Sequence, residues 1–244
     1  MSNFLAGAFD SVRKSALGAA RRALPQRCEL CAGPSGNALV CAGCSRELPR
    51  LEPICPVCAL PTRGGEICGH CLADPPPFDA TIAAYAYAFP VDRLIHAFKY
   101  QGRLALAEWC AGAILAARER GAAASPARLV ALPLSAERQR ERGCNQAGEI
   151  ARHLATQTRI ALITVGVRRI RATAAQTALP WTERARNVRG AFACEIDLDG
   201  LSVAVIDDVM TTGATLAEFA RTLKAAGAAR VENWVVARTL PPAG

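Results

Sequence analysis

The stretch VAVIDDVMTTGAT, residues 203–215, decides the fold of this chain. Its apolar first part predicts a short buried strand that ends at two adjacent carboxylates, Asp207 and Asp208. A threonine-rich turn follows, and the apolar periodicity of residues 216–226 predicts a helix. Strand, turn and helix start together make an anion site, because backbone N–H groups and the positive end of the helix dipole point at the turn.

The two carboxylates narrow the class of ligand. A bare anion would be repelled by Asp207 and Asp208. A phosphate carried on a polyol would be held by them, since carboxylates accept hydrogen bonds from hydroxyl groups and help to hold a divalent metal. Threonine hydroxyls add donors, and Gly213 lets the backbone approach the ligand closely. The stretch therefore predicts a site for a sugar phosphate with free hydroxyl groups.

The composition fits one good-sized domain plus a small module. The chain has 244 residues, of which 51% are hydrophobic, and it contains no apolar run of about 18 residues or more that would predict a transmembrane helix. Residues 1–24 have the apolar spacing of an amphipathic helix. Asp10, Arg13 and Lys14 interrupt the place where a signal peptide would be apolar, so we expect a cytoplasmic protein.

Eight of the eleven cysteines form four Cys-x-x-Cys pairs between residues 28 and 71, and the spacing of the first two pairs recurs in the last two. Two Cys-x-x-Cys turns complete a tetrahedral metal site, so segment 25–74 is predicted to hold two structural Zn²⁺ ions. Consecutive pairing is the simplest arrangement, and cross-braced pairing stays open. Disulfides or a redox centre explain the duplicated spacing less well. The predicted ligands are Cys28, Cys31, Cys41, Cys44, Cys55, Cys58, Cys68 and Cys71.

Positive charge is concentrated in residues 128–189, which hold twelve arginines, four glutamates and no lysine or aspartate. A concentrated basic surface favours a phosphate-rich partner, and arginine suits bidentate phosphate binding. The whole chain prefers arginine to lysine, so coding bias is an alternative explanation.

A second anion site is predicted after the apolar segment 129–134, which indicates a buried strand. The strand runs into a tight loop with arginines at alternate positions, and a helix then extends to about residue 157. Open α/β sheets bind ligands at the carboxyl ends of their strands. The candidate contacts are Arg138, Arg140 and Arg142. Further upstream, Lys99 is interpreted either as an anion contact or as surface charge, and His96 as a packed residue in the apolar stripe of a helix over 91–100.

Residues 203–215 resemble the phosphoribosyl pyrophosphate (PRPP) motif of type I phosphoribosyltransferases. The resemblance implies that Asp207 and Asp208 are the catalytic pair and hold the ribose 2′- and 3′-hydroxyls, with Mg²⁺ bound alongside PRPP. It also assigns the three arginines to the pyrophosphate group. The residues implied to wrap the 5′-phosphate are Thr211, Thr212, Gly213, Ala214 and Thr215.

Segment 142–147, RGCNQA, indicates a more specific family. It is similar to the Arg-Gly-Phe-Asn-Gln-Ala stretch of the ComF family, which is linked to competence and DNA uptake. Segment 171–177 and parts of 183–192 are also similar to that family, as is a cysteine-rich module ahead of a PRPP motif. Cys144 stands where the family usually has Phe, a mild departure. Type I enzymes close a flexible loop over PRPP. The resemblance implies that segment 171–184 is the counterpart of this loop, with Gln176 and Arg184 as candidate substrate contacts.

The sequence thus predicts a type I phosphoribosyltransferase-like α/β domain with a parallel sheet over residues 79–240, preceded by the zinc module. Two functions stay open. One is a glycosyltransferase that moves phosphoribose to an acceptor the sequence does not name. The other is a binding protein, in which PRPP is only a ligand while zinc ribbons and the basic surface bind single-stranded DNA. The family resemblance adds a competence helicase or uptake proteins as candidate partners.

Overall fold

The computed structural model describes residues 26–121, 125–171 and 188–241. The expected N-terminal helix over 1–24, Gln176 and Arg184 lie outside these ranges. The strands are β1 (Gln26–Arg27), β2 (Pro34–Gly36), β3 (Ala80–Ala86), β4 (Arg128–Ala131), β5 (Ala161–Ile163), β6 (Val167–Arg169), β7 (Phe192–Cys194), β8 (Ser202–Met210) and β9 (Arg230–Arg238). The helices are α1 (Ala42–Arg46), α2 (Gly69–Ala73), α3 (Val91–Tyr100), α4 (Leu106–Arg120), α5 (Ala136–Arg142), α6 (Gln146–Thr158) and α7 (Ala214–Ala225). Within the described ranges, no helix has the length and apolar character needed to cross a membrane.

A five-stranded sheet in the order β3-β9-β8-β4-β5 confirms the predicted parallel α/β fold, since every neighbouring pair of its strands runs parallel. The central strand is β8. Its residues 203–206 are all fully buried, and because successive side chains point to opposite faces, both faces of the sheet are covered there. Helix α6 packs on β8 and β4, and α7 contacts β7, β8 and β9.

Several element boundaries differ from the sequence prediction, among them that of β4, which ends at Ala131 and not at residue 134. Strand β8 does not end at the carboxylates but continues to Met210, because its pairing with β9 extends to that residue. The sequence predicts one strand over residues 161–170, but the structure has two short strands separated by a turn, and the second, β6, pairs antiparallel with β7. The predicted tight loop of arginines is helix α5. Its N-cap is Ser135, whose hydroxyl accepts from the Arg138 N–H at 3.3 Å.

The chain divides into two units, residues 1–48 and 49–244. The first unit contains β1, β2, α1 and the first four cysteines of the duplicated set. The second unit contains the other four cysteines together with the parallel sheet. This division falls inside segment 25–74, which the sequence treats as one module.

Within the second unit, segment 49–61 runs along β3, the edge strand of the sheet. The Ala86 N–H donates to the Pro49 carbonyl at 2.7 Å, and the Thr81 N–H donates to the Pro56 carbonyl at 3.0 Å. Apolar residues of this segment, among them Leu51, join the core beneath the sheet. The second cysteine-rich segment is therefore built into the α/β unit.

Candidate functional site

A cleft of about 340 Å³ lies at the carboxyl end of β8, and both Asp207 and Asp208 line it. Asp208 is only 6% exposed. Its carboxylate is paired with the ammonium group of Lys99 from α3, with 2.9 Å between Nζ and Oδ1. Burial alone would lower the pKa of Lys99, but the Asp208 carboxylate outweighs burial, and the net shift is upward. Lys99 is thus a charged partner of the aspartate pair.

Asp207 has a different environment from its neighbour. Burial, followed by the adjacent Asp208 charge, raises the pKa of Asp207 to about 7. Its Oδ1 accepts a hydrogen bond from the Asp208 backbone N–H at 2.9 Å. The protein therefore holds two neighbouring carboxyl groups on its central strand, one paired with a lysine and the other with a pKa that burial raises.

The loop after β8 has the geometry of an anion cradle. Gly213 takes a left-handed conformation, with φ of +83°, that an L side chain adopts only with strain, and it is the N-cap of α7. The Thr212 hydroxyl accepts from the Ala214 N–H at 3.1 Å and closes the turn. Thr211 and Thr215 line the cleft. Loop amides and the start of a twelve-residue helix thus lie beside the carboxylates.

Helix α5 divides the three predicted arginines. Arg138 and Arg142 line the cleft, whereas Arg140 is exposed and is not among the described residues that line it. Helical periodicity explains the split, because residues four apart share a face and the residue between them does not. Arg169 from β6 also lines the cleft. Burial and the nearby Arg138 lower the pKa of Arg169, which places several guanidinium groups around one space.

Aromatic rings at the cleft form a feature that the sequence analysis missed. Tyr87, His96 and Tyr100 line it, and the His96 and Tyr100 rings lie 5.0 Å apart between centroids. The Arg142 guanidinium lies 5.4 Å from the centroid of the Tyr100 ring. The interpretation of His96 as a packed residue is wrong, because the buried face of α3 is formed by other positions and His96 is exposed.

The eight paired cysteines gather into two clusters, which confirms consecutive pairing. In each cluster the four sulfur atoms lie within 4.8 Å of one another, and all of these cysteines are free thiols. The first cluster comprises Cys28, Cys31, Cys41 and Cys44, and the second comprises Cys55, Cys58, Cys68 and Cys71.

The clusters fit zinc. A tetrahedral site with Zn–S bonds of about 2.3 Å separates its sulfurs by about 3.8 Å. The Sγ–Sγ distance is 3.8 Å between Cys31 and Cys41 and 3.6 Å between Cys58 and Cys68.

Backbone N–H groups also point at the sulfurs at equivalent places in the two clusters. Cys41 N lies 3.3 Å from Cys28 Sγ, and Cys68 N lies 3.4 Å from Cys55 Sγ. Such hydrogen bonds support thiolate ligands, and the duplication in sequence is therefore also a duplication in geometry.

The central strand of the parallel sheet carries a carboxylate pair and leads into a threonine–glycine loop, and the same chain has two four-cysteine clusters. These features define a class. The chain is a phosphoribosyltransferase-like α/β protein with a double zinc ribbon. Residues 19–72 match the double zinc ribbon domain, and residues 141–240 match the phosphoribosyl transferase domain.

Curated relatives extend over most of the chain. The DNA utilization protein YhgH of Salmonella typhi is 35% identical over 226 residues, which cover 89% of this chain and 99% of the relative. Competence protein F of Haemophilus influenzae is 30% identical over 222 residues, which cover 87% of this chain and 96% of the relative. The chain therefore belongs to the ComF family of these proteins.

A solved structure, the purine phosphoribosyltransferase from Pyrococcus horikoshii OT3, aligns with 65% of this chain and 88% of its own. Its identity is 16% and its TM-score 0.27, so this similarity carries no functional argument.

Proposed function

We propose that this protein binds PRPP with Mg²⁺ in the cleft at the end of β8 and acts on its phosphoribose group. The observation that carries the proposal is the convergence of three elements on one space. The Asp207–Asp208 pair, the loop at the start of α7 through Thr211, Gly213 and Thr215, and the α5 residues Arg138 and Arg142 line the same cleft.

Each element has a role that follows from its chemistry. The carboxylates accept hydrogen bonds from the ribose hydroxyls, and the loop amides and hydroxyls hold the 5′-phosphate. Arg138 and Arg142 hold the pyrophosphate and stabilise the negative charge that it gains as it leaves the ribose C1. Mg²⁺ brought with PRPP would supply further charge stabilisation at the departing pyrophosphate, and Asp207 and Asp208 are the carboxylates that would help to hold it. Displacement at C1 needs no nucleophilic side chain from the protein.

The names of the relatives support a role connected with DNA. Their names refer to DNA utilization and to competence, and the basic segment 128–189 contributes arginines to the cleft wall. We propose that the phosphoribose chemistry or PRPP sensing serves the handling of incoming single-stranded DNA in the cytoplasm, beside uptake proteins or a competence helicase. The acceptor of the phosphoribose group is left unassigned.

Isothermal titration of the zinc-loaded protein with PRPP and Mg²⁺ tests the site. Wild type should bind PRPP, and the double variant Asp207→Asn with Asp208→Asn should lose binding while remaining folded by circular dichroism. Asp197→Asn, at an exposed carboxylate outside the cleft, is the matched control and should bind like wild type. Unchanged affinity in the double variant would refute the assignment of the aspartates.

The second candidate is a nucleic-acid-binding protein that uses PRPP only as a ligand. The aromatic rings beside Arg142 favour it, because stacking rings next to arginines suit single-stranded nucleic acid. Fluorescence anisotropy with a labelled oligothymidylate, repeated from 50 to 200 mM salt, measures this binding. A steep loss of affinity with salt and no pyrophosphate release with any acceptor would favour the binding protein. Acceptor-dependent pyrophosphate release would favour the enzyme.

A further inference from the structure

The side chain of Arg238 is buried to an unusual degree for an arginine. The residue ends β9, is 2% exposed, and pairs in register with Met210, the last residue of β8. Burying a guanidinium group is costly unless its donors are satisfied. The position of Arg238 at the carboxyl edge of the sheet therefore depends on the groups that accept its hydrogen bonds.

The acceptors of Arg238 belong to two places that are far apart in the sequence. Its Nε donates to the carbonyl of Cys58 at 2.9 Å. Its Nη1 donates to the carbonyls of Met210 at 3.2 Å, of Thr239 at 2.8 Å, and of Thr211. Cys58 belongs to the second cysteine cluster, and Thr211 is the first residue of the loop proposed to hold the 5′-phosphate. One guanidinium group thus bridges the cluster and the loop.

The Cys58 carbonyl lies in a turn that the cluster shapes. The Ala59 N–H donates to the Cys55 carbonyl at 2.9 Å, and the Cys55 N–H donates to the Leu60 carbonyl at 2.8 Å. A metal bound by the sulfurs of Cys55 and Cys58 fixes this turn, because both ends of the turn are then ligands. If the turn loosens, a buried charged donor loses its acceptor, and the guanidinium must shift together with the carbonyls of Met210 and Thr211.

We propose that Arg238 is a positioning residue that couples zinc occupancy of the second cluster to the shape of the loop 211–215. Loss of zinc from this cluster weakens binding of the sugar phosphate, whereas loss from the first cluster does not. By linkage, the bound ligand also slows the release of zinc from the second cluster. This inference rests on the PRPP site proposed above.

The duplicated clusters supply a matched pair of variants, because Cys44 and Cys71 are the last ligands of the two clusters. Cys44→Ser and Cys71→Ser should each lower the zinc content by one ion per chain, measured by elemental analysis. Only Cys71→Ser should weaken PRPP binding, by roughly tenfold, and only it should speed amide hydrogen exchange over residues 211–215. Equal effects of the two variants on these readouts would overturn the coupling.

Arg238→Lys tests the bridge itself, because lysine keeps the charge but lacks the planar fork of donors. This variant should keep both zinc ions, bind PRPP more weakly and exchange faster over 211–215. Unaltered exchange and affinity would contradict the role of Arg238.

A measurement on wild-type protein covers the case in which a variant does not fold. PRPP with Mg²⁺ should slow the transfer of one of the two zinc ions to a colorimetric chelator. If PRPP binds but the transfer rates of both zinc ions stay the same, the inference is overturned. If wild type does not bind PRPP, the proposed function fails, and hydrogen exchange still decides the coupling. Faster exchange in Cys71→Ser than in Cys44→Ser supports it, and equal exchange overturns it.

Discussion

At the scale of single residues, the ion pair between Lys99 and Asp208 is the main electrostatic feature of the site. Both side chains are largely buried, at 16% and 9% exposed. A sugar hydroxyl that bonds to Asp208 must share that carboxylate with Lys99. The pair therefore gives the largely buried Asp208 carboxylate a charged hydrogen-bond partner.

Replacing Lys99 with methionine should destabilise the protein, because it leaves the Asp208 carboxylate buried without its partner. Removing one member of a buried pair costs about 3–5 kcal/mol, while an exposed pair is worth about 0–1 kcal/mol. The control is Lys224→Met, since Lys224 pairs with Asp79 at the same 2.9 Å but at a more exposed place. Urea denaturation compares the two variants. Equal losses of stability in the two variants would contradict the expected cost of leaving Asp208 buried without its partner.

Asp207 should make the ligand-free protein less stable as the pH rises. Burial raises the pKa of Asp207 from 3.8 to about 7, so between these values the unfolded chain is ionised while the folded protein keeps the proton. The free energy of unfolding therefore falls over this window, and it falls no further above it.

Asp207→Asn removes this titration. Relative to wild type, the stability of the variant should rise by roughly 2.5 kcal/mol from pH 5 to pH 8, because about two pH units of this range lie below the folded-state pKa and each corresponds to about 1.4 kcal/mol. Urea denaturation of both proteins at the two pH values measures this difference. Any effect of pH on the zinc clusters is the same in both proteins and cancels. A gap between the two proteins that does not change with pH would show that Asp207 titrates at its ordinary pKa.

At the scale of elements, helix α5 places two of its three arginines at the cleft and the third on the exposed side. Arg138→Ala and Arg142→Ala should each weaken binding of pyrophosphate by about tenfold, since a charged hydrogen bond contributes about 1.5–3 kcal/mol. Arg140→Ala is the control of identical chemistry on the exposed side of the helix and should weaken binding far less. Titration with pyrophosphate and Mg²⁺ measures all three. A uniform effect would indicate that only the net charge of the segment matters.

The sequence around α5 contains the signals of a helix, although its alternating arginines favour a loop. Ser135 at the N-cap and Gly143, left-handed at the C-cap, are ordinary helix boundary signals. These two residues predict a helix over the segment between them. By contrast, α3 was predicted with its observed bounds because its apolar period is strong, with Leu94, Ile95 and Phe98 buried.

Contacts between distant elements could not be predicted in the same way. The pairing of Lys99 with Asp208 and the approach of Arg169 depend on how α3 and β6 pack at the sheet edge, and no local pattern encodes that packing. The motif at 203–215 predicted the carboxylates and the loop because strand, turn and helix start are contiguous in the chain. The aromatic rings were not predicted to line the cleft because their segment is distant in sequence from the basic segment 128–189.

At the scale of the whole molecule, the two cysteine clusters have the same internal geometry but different surroundings. The spacing of the cysteines predicted two four-cysteine sites but left consecutive and cross-braced pairing open, and the structure brings the consecutive pairs together. Nothing in that spacing distinguishes the second cluster, whose carbonyl at Cys58 meets Arg238 from the end of the last strand. The difference arises from the sheet, which brings residue 238 back to residue 58.

Segment 49–61 also has a consequence for solubility. Edge strands expose unpaired backbone groups that recruit other chains into intermolecular sheets, and proteins guard against this by covering them. Here the cover for β3 is the backbone of Pro49 and Pro56.

A fragment that begins at residue 79, where the transferase-like domain was expected to start, should therefore self-associate, whereas a fragment that begins at residue 49 should stay monomeric. Analytical ultracentrifugation of the two fragments would show this, and a monomeric shorter fragment would contradict it. The second ribbon would then serve, besides holding metal, as a guard against aggregation.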